Sequence, residues 1–183
     1  MAGWMAFVAL SGALAYISRA SLRAPGSHGF FRFFAWECIL ALVLLNVEVW
    51  FRTPFAWHQL ISWALLFASL IPLCLGVRTL FSRGKPAAHR TSEPELLAFE
   101  RTSALVTTGI YRYIRHPLYS SLLLLTWGAY FKEPGWFGGL LAAASTGFLL
   151  ATAKADETEC VSFFGPAYEA YMKTSARFVP FIF

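Results

Sequence analysis

Charged side chains are scarce in this chain. Asp, Glu, Lys and Arg make up 14% of the 183 residues and hydrophobic residues make up 57%, which is far from the composition of a soluble globular domain. The sequence also lacks low-complexity tracts, repeats of solenoid length and any polar block large enough for a second domain. These features argue against an ordinary soluble protein, and they predict a single membrane domain.

Cysteine is scarce as well, with three residues in the chain. Cys38 and Cys74 lie in apolar stretches and Cys160 follows an acidic cluster, so their spacing fits neither a disulfide framework nor a metal site. We therefore expect no bound metal. Nowhere in the sequence is a predicted strand followed by the Gly-rich fingerprint of dinucleotide-binding folds. This excludes a soluble Rossmann-type enzyme.

Five apolar stretches approach the length of about 20 residues that a helix needs to cross a bilayer. They cover about 4–17, 33–50, 57–75, 117–130 and 136–153, and the last two are close enough in sequence to form a helical hairpin. Arg19 and Arg23 follow the first stretch instead of preceding it, so we predict a retained span and not a signal peptide. The predicted fold class is an all-α integral membrane protein with five transmembrane helices.

Basic residues are concentrated in alternate loops, which predicts the topology. Seven of them lie between the third and fourth stretches, whereas the loops on the opposite side hold only Arg52 and Lys132. By the positive-inside rule the N-terminus lies outside, and the C-terminus and the site lie in the cytoplasm, as in a bacterial inner membrane. The net charge of +5 then follows from topology and from attraction to anionic membrane lipids, and needs no nucleic acid partner.

Within the single domain, 1–183, we expect two parts. Residues 1–77 hold the first three spans, and residues 78–183 hold a connecting segment, the hairpin and a C-terminal tail. In the connecting segment, Ser92 and Glu95 fit a capping box before a short interfacial helix. The stretch "LVTTGIY" favours extended chain that turns at Gly109.

The stretch "YIRHPLYSSLLLL" places Arg115 and His116 directly before the fourth span. Pro117 suits the first turn of a helix, so we predict that the span begins there, with an anion-attracting N-terminus beside Arg115. Span five runs out into "AKADETEC", and the short hairpin loop brings this acidic end near Arg115. Asp156 and Glu157 are about 100° apart on a helix, so at most one of them faces Arg115 squarely.

Opposite charges and several aromatic side chains at one membrane level suit a zwitterionic or cationic ligand with a flat ring. The aromatic residues are Tyr111, Tyr113, Tyr119, Tyr168 and Tyr171. A plainer interpretation stays open, in which the basic residues mark the membrane edge, the acids form a solvated helix end and the tyrosines belong to an interfacial belt.

At these residues the chain resembles integral-membrane methyltransferases, the group of isoprenylcysteine carboxyl methyltransferases and phospholipid N-methyltransferases. "LVTTGIYRYIRHPLY" is similar to the pattern LVxxGxYxxxRHPxY, and "DETECVSFFGPAYEAYMKTSARFVP" resembles EExxLxxxFGxxYxxYxxxxxRFxP. The resemblance covers about the last 85 residues. It implies S-adenosylmethionine as cofactor in a cytoplasm-facing pocket, and a lipophilic or lipid acceptor that arrives from the bilayer. The cofactor-binding residues that it implies are Ser103, Ala104, Leu105, Val106, Tyr111, His116, Pro117, Leu118, Tyr119, Asp156 and Glu157.

Departures from the pattern bear on the acceptor. Asp156 stands where Glu is usual, and Cys160 replaces a common Leu. In the isoprenylcysteine enzymes an Arg associated with the substrate lies four residues before the first acid, where this chain has Thr152; Lys154 is about 200° further around the helix. Since a prenylcysteine carboxylate would lack that charge partner, a lipid amine or another hydrophobic nucleophile is favoured.

The resemblance leads to a mechanistic hypothesis. Arg115 and His116 orient the methionine part of the cofactor, while Asp156 and Glu157 hold its ammonium or help to accept the proton of the acceptor. On this hypothesis the catalytic residues are Glu157 and Arg115.

Two alternatives remain at this point. Membrane sterol reductases, which use a reduced nicotinamide, share an RHxNY element and a DExxCxxxYG-like ending, and Asp156, Glu157 and Cys160 match that spacing. The second alternative is a non-catalytic membrane subunit or small transporter. Its candidate intramembrane acids are Glu37 and Glu48, on one face of span two. Small residues in span five also offer a surface for oligomerisation, namely Gly138, Gly139, Ala142, Ala143 and Gly147.

Overall fold

A computed structural model describes residues 2–84 and 104–180. Within these ranges the chain is helical and contains no β-strand, apart from one isolated bridge between Ile114 and Ala176. The α-helices are α1 (Ala2–Ile17), α2 (Arg19–Leu22), α3 (His28–Leu45), α4 (Trp57–Arg83), α5 (Pro117–Tyr130), α6 (Trp136–Phe164) and α7 (Pro166–Met172). The all-α prediction is confirmed for the described part of the chain.

Three of these helices are long and apolar enough to cross a membrane: α3, α4 and α6. By contrast, α1 has 16 residues and α5 has 14, so at 1.5 Å per residue they rise about 24 and about 21 Å, less than a bilayer core of roughly 30 Å. The chain is thus a helical integral membrane protein with three candidate spans. The five-span assignment stays a prediction.

The boundaries of the helices differ from those of the apolar stretches. A charged residue ends an apolar stretch, but it does not end a helix. The second span begins at His28 and ends at Leu45, followed by a 3₁₀ turn at Val47–Val49. Glu48 is therefore exposed outside the helix, whereas Glu37 lies within it and accepts a hydrogen bond from Ser11 at 2.5 Å. The expectation that these two acids share one face of a helix is wrong.

Close packing pairs α4 with α5 and α3 with α6. Gly128 permits the first contact, since a Cβ there would lie 2.9 Å from the Leu66 side chain. Gly138 and Ala142 of α6 pack inside the chain, where Ala142 joins Leu42 and Ala129 in a buried apolar cluster. Part of the small-residue surface predicted for oligomer contact is therefore used within the monomer.

A buried lysine fixes the hairpin loop between α5 and α6. The Lys132 ammonium donates to Gln59 Oε1 at 3.0 Å and lies 3.4 Å from the ring centre of Trp63. The Gln59 amide nitrogen in turn donates to the backbone carbonyl oxygens of Val49 and Lys132. Burial lowers the pKa of Lys132. These bonds hold the loop against α4 at the end of the bundle opposite to the cavity described below.

The C-terminal tail returns to the start of α5. Arg115 and His116 donate their backbone N–H groups to the carbonyl oxygens of Ala176 and Arg177, at 2.8 and 3.1 Å, and Ala176 donates to Tyr113 at 3.0 Å. The tail therefore lies beside residues 113–116 and brings a second arginine, Arg177, to the place where the hairpin helices meet.

Candidate active site

One cavity lies where the start of α5, the C-terminal part of α6 and α7 meet. Nine of the eleven residues predicted to bind the cofactor line it: Ala104, Leu105, Val106, Tyr111, His116, Pro117, Leu118, Tyr119 and Asp156. Of the other two, Ser103 lies outside the described residues and Glu157 points elsewhere. The cavity has about 830 Å³ of empty space, including solvent at its mouth, so it is an open groove and not a closed chamber.

The segment before α5 has the predicted shape. Residues 105–107 are not helical, and the chain turns at Gly109 into a 3₁₀ turn, Gly109–Arg112. Gly109 has a φ of 63°, and a Cβ there would lie 2.9 Å from Thr79 Oγ1, so both conformation and space require glycine. Pro117 occupies the first turn of α5 as predicted, and residues 116–119 place the N-terminus of that helix at the cavity wall.

Glu157 is the centre of a buried ion-pair cluster. Its Oε1 accepts from Arg115 Nε and from Arg177 Nε, each at 3.0 Å, and its Oε2 accepts from Arg177 Nη2 at 2.8 Å. Arg115 Nη1 also donates to the carbonyl oxygens of Met172 and Ser175. With only 6% of its side chain exposed, Glu157 joins α6, the start of α5 and the tail.

Asp156 faces the cavity. Its Oδ2 accepts from the Tyr119 hydroxyl at 3.2 Å and lies 3.4 Å from His116 Nδ1, and 24% of its side chain is exposed. The other ring nitrogen of His116, Nε2, lies 3.3 Å from Glu157 Oε1. His116 therefore bridges the two acids, and the prediction that only one of them faces Arg115 is confirmed, with Glu157 in that position.

Burial and charge shift the pKa values of the groups around the cavity. Burial alone lowers the pKa of His116, but its hydrogen bonds to Asp156 and Glu157 and their negative charges outweigh burial and raise it overall. Burial raises the pKa of Tyr171 to about 12 and raises that of Tyr168 as well. The hydrogen bond to Glu157 raises the pKa of Arg177. Both tyrosines therefore keep their protons at neutral pH.

His116 gives a pH-dependent contribution to stability. Because its folded pKa is raised, this contribution is full below about pH 6.5, the ordinary imidazole value, and is lost as the pH rises through the folded pKa. We expect wild type to exceed His116→Gln in thermal stability by more at pH 6 than at pH 9, measured by thermal unfolding in detergent. A difference that is equal at both pH values would contradict this expectation.

Two polar cavity residues were not assigned to the site from the sequence. His28, the first residue of α3, and Glu159 of α6 both line the cavity and contact each other. The basic-residue pattern does place the start of α3 at the same membrane level as the end of α6, which is a weak signal for His28. Nothing in the sequence indicates that the two residues pair.

Cations are few along the cavity wall. Among the described lining residues Arg115 is the one Arg or Lys, and it is engaged by Glu157 and the tail. Thr152 is buried and donates to the carbonyl oxygen of Phe148, whereas Lys154 is exposed. Within the described ranges no group of three His, Cys, Asp or Glu residues is arranged to hold a metal ion.

The apolar helices, with a polar cavity at one end of the bundle, define an integral membrane protein whose site contains both signs of charge.

A family model described as phospholipid methyltransferase matches residues 95–165. Over 111 residues the chain is also 31% identical to a Protein-S-isoprenylcysteine O-methyltransferase of Schizosaccharomyces pombe, an alignment that covers 60% of this chain and 47% of that protein. The chain thus aligns with about half the length of this relative, and no solved structure matches it. Over part of its length the chain is thus similar to membrane methyltransferases of the phospholipid and isoprenylcysteine kinds.

Proposed function

We propose that this protein transfers a methyl group from S-adenosylmethionine to a lipophilic acceptor embedded in the membrane. The observation that carries the proposal is that the segment matched by the family also builds the cavity. Residues 104–106 and 116–119 form one side of it, and Asp156 on α6 forms the other.

The chemistry of the lining fits this cofactor. A carboxylate, Asp156, is available for the methionine ammonium, and the start of α5 offers a favourable place for the methionine carboxylate. Phe164, Tyr168 and Tyr171 provide aromatic surface for an adenine ring. When bound, S-adenosylmethionine supplies an electrophilic methyl group on a sulfonium.

The residues of the chain position the reactants. Tyr119 and His116 hold the Asp156 carboxylate in place, and the Glu157 cluster fixes Arg115 and His116 in the cavity wall. Of the predicted catalytic residues, Arg115 then acts at the wall itself, and Glu157 acts through Arg115 and His116. Such positioning is the main contribution a protein makes to a direct displacement.

The acceptor that we favour is a lipid amine or another hydrophobic nucleophile, and not a carboxylate. A carboxylate taken out of water needs a charge partner, and the one Arg or Lys of the described lining is Arg115, which Glu157 already engages. The match to phospholipid methyltransferases agrees with this acceptor and favours methyl transfer over nicotinamide-dependent reduction or transport.

The proposed activity is tested by incubating the purified full-length chain with methyl-labelled S-adenosylmethionine and a membrane lipid extract. We expect label in an organic-soluble product, which mass spectrometry then identifies as N-, S- or O-methylated. A reduced nicotinamide added instead of S-adenosylmethionine should produce no change in the lipids. Absence of label, or nicotinamide-dependent reduction, would contradict the proposal.

For the topology we propose five spans, with the N-terminus outside and both the C-terminus and the cavity in the cytoplasm. We also propose that the chain is a single domain, in which residues 78–183 form the catalytic part. The charge distribution supports this arrangement. Reporter fusions after Arg83 and after Phe183 should report cytoplasm, and a fusion after Pro134 should report the outside. A cytoplasmic report after Pro134 would refute the hairpin orientation.

A further inference from the structure

Tyr168 on α7 lines the cavity, and among the described residues its hydroxyl has no hydrogen-bond partner. The residue is 4% exposed. The turn between the last two helices places it there: Gly165 ends α6 with a φ of 59°, and Pro166 begins α7. The chain thus folds back at this turn and packs Tyr168 against Phe164.

The packing of Tyr168 involves its ring alone. The Phe164 ring lies nearly parallel to it, with an angle of 18° between the planes and 6.4 Å between the ring centres. The Tyr171 ring meets it at 71°, with the centres 5.7 Å apart. Phenylalanine would make both contacts equally well, so packing does not explain why this residue carries a hydroxyl.

Two other tyrosines of the cavity use their hydroxyls inside the protein. Tyr171 donates to the carbonyl oxygen of Tyr111 at 2.5 Å, and Tyr119 donates to Asp156. A polar group that folding takes out of water is normally bonded again, because leaving it without a partner costs free energy. The hydroxyl of Tyr168, in a buried residue of the cavity wall, is therefore available to a ligand.

This hydroxyl is a hydrogen-bond donor at neutral pH. Burial raises the pKa of Tyr168, and the neighbouring Cys160, Asp156 and Glu157 raise it further. A phenol that keeps its proton can donate to a neutral oxygen or nitrogen atom of a ligand.

The position of Tyr168 favours the cofactor over the lipid acceptor. Phe164, against which it packs, is the last residue of α6 and lies eight residues, or about two turns, beyond Asp156. An acceptor that arrives along the apolar helices reaches Asp156 before it reaches Tyr168. The far end of the cavity suits the polar nucleoside of the cofactor, which carries neutral oxygen and nitrogen acceptors.

We propose that the Tyr168 hydroxyl donates a hydrogen bond to the adenosine part of S-adenosylmethionine, an inference that rests on the proposed function. The acceptor atom is a ribose oxygen or an adenine ring nitrogen, which share this chemistry. Tyr168 then contributes to the selection of the nucleoside, whereas Asp156 holds the amino-acid part of the cofactor.

The test compares full-length wild type in detergent with Tyr168→Phe, which keeps the ring and deletes the hydroxyl. We expect S-adenosylhomocysteine affinity, measured by calorimetry, to fall by about 2- to 12-fold, the usual effect of deleting one neutral hydrogen bond. Without ligand, the thermal unfolding midpoint should not fall, because the hydroxyl has no partner among the described residues to lose.

Two matched variants make the same chemical change elsewhere. Tyr171→Phe should lower the unfolding midpoint without ligand, because the Tyr111 carbonyl oxygen loses its donor. Tyr130→Phe, at the opposite end of the bundle, should behave as wild type in both measurements.

Analogues of S-adenosylhomocysteine identify the acceptor atom. The set comprises the 2′-deoxy and 3′-deoxy compounds, which each lack a ribose hydroxyl, and the deaza compounds, which each lack one adenine ring nitrogen. Wild type and Tyr168→Phe should bind the analogue without the acceptor atom equally well, because neither complex then contains the bond. A full loss in Tyr168→Phe with every analogue would overturn the inference.

Three other results would also overturn it. They are S-adenosylhomocysteine affinity in Tyr168→Phe within about 1.5-fold of wild type, a midpoint that falls as far as in Tyr171→Phe, and a raised KM for the lipid with unchanged S-adenosylhomocysteine affinity. Wild type that neither binds S-adenosylhomocysteine nor transfers label would refute the proposed function and this inference with it. An active wild type with an unaffected variant refutes the inference alone.

Discussion

Replacing Asp156 with asparagine should weaken S-adenosylhomocysteine binding by about 10- to 160-fold, because a charge-assisted hydrogen bond to an ammonium contributes roughly 1.5–3 kcal/mol. Asp156 is the carboxylate that Tyr119 and His116 hold at the cavity wall. Removing its charge leaves the ligand ammonium with a neutral partner and leaves the shape of the cavity unchanged. Calorimetric titration of the variant with S-adenosylhomocysteine measures the effect, and label transfer at subsaturating cofactor should fall in parallel.

Two matched variants separate the charge from the position. Asp156→Glu restores the residue that the related pattern usually has there, and the open mouth of the cavity has room for one more methylene, so its affinity should stay within about threefold of wild type. Lys154→Gln changes an exposed charge two residues away on the same helix and should have no effect. An Asp156→Asn variant that binds within twofold of wild type would show that the ammonium lies elsewhere.

The sequence predicts those features of the site that depend on residues close together in the chain. Pro117 marks the start of α5 through its own backbone geometry, and Gly109 marks the turn before it. The 100° offset between Asp156 and Glu157 shows that they face different partners. Each of these conclusions needs only local geometry, and the described residues confirm all three.

Long-range contacts decide the rest of the site. His28 pairs with Glu159 across 131 positions of the chain, and Arg177 reaches Glu157 because the tail pairs with residues 113–116. Neither contact follows from periodicity or hydropathy, because both depend on how α3 and the tail pack against α6. The sequence therefore identified Glu157 as an important residue and assigned it directly to the ligand, whereas the structure places it in the ion-pair cluster.

Glu157→Gln should destabilise the protein more than any other single change in the cavity region. It leaves the guanidinium groups of Arg115 and Arg177 without their shared carboxylate, and breaking a buried ion pair in this way costs about 3 kcal/mol, the lower end of the usual range because Arg177 is 25% exposed. We expect a lower unfolding midpoint in denaturant and faster trypsin cleavage at Lys173 and Arg177, since the tail would leave residues 113–116. Label transfer should be lost together with the tail contacts.

A double-mutant cycle tests whether the loss comes from the ion pairs. Arg177→Gln removes the more exposed cation, so adding it to Glu157→Gln should relieve part of the excess positive charge, with a coupling energy of about 1–3 kcal/mol. Lys173→Gln alters an exposed charge in the same tail and should show no coupling to Glu157. Additive effects of the first two changes would mean that Glu157 acts separately from Arg177. If Glu157→Gln instead lowered S-adenosylhomocysteine affinity without changing stability or tail cleavage, Glu157 would be a direct ligand of the cofactor, as the sequence alone had suggested.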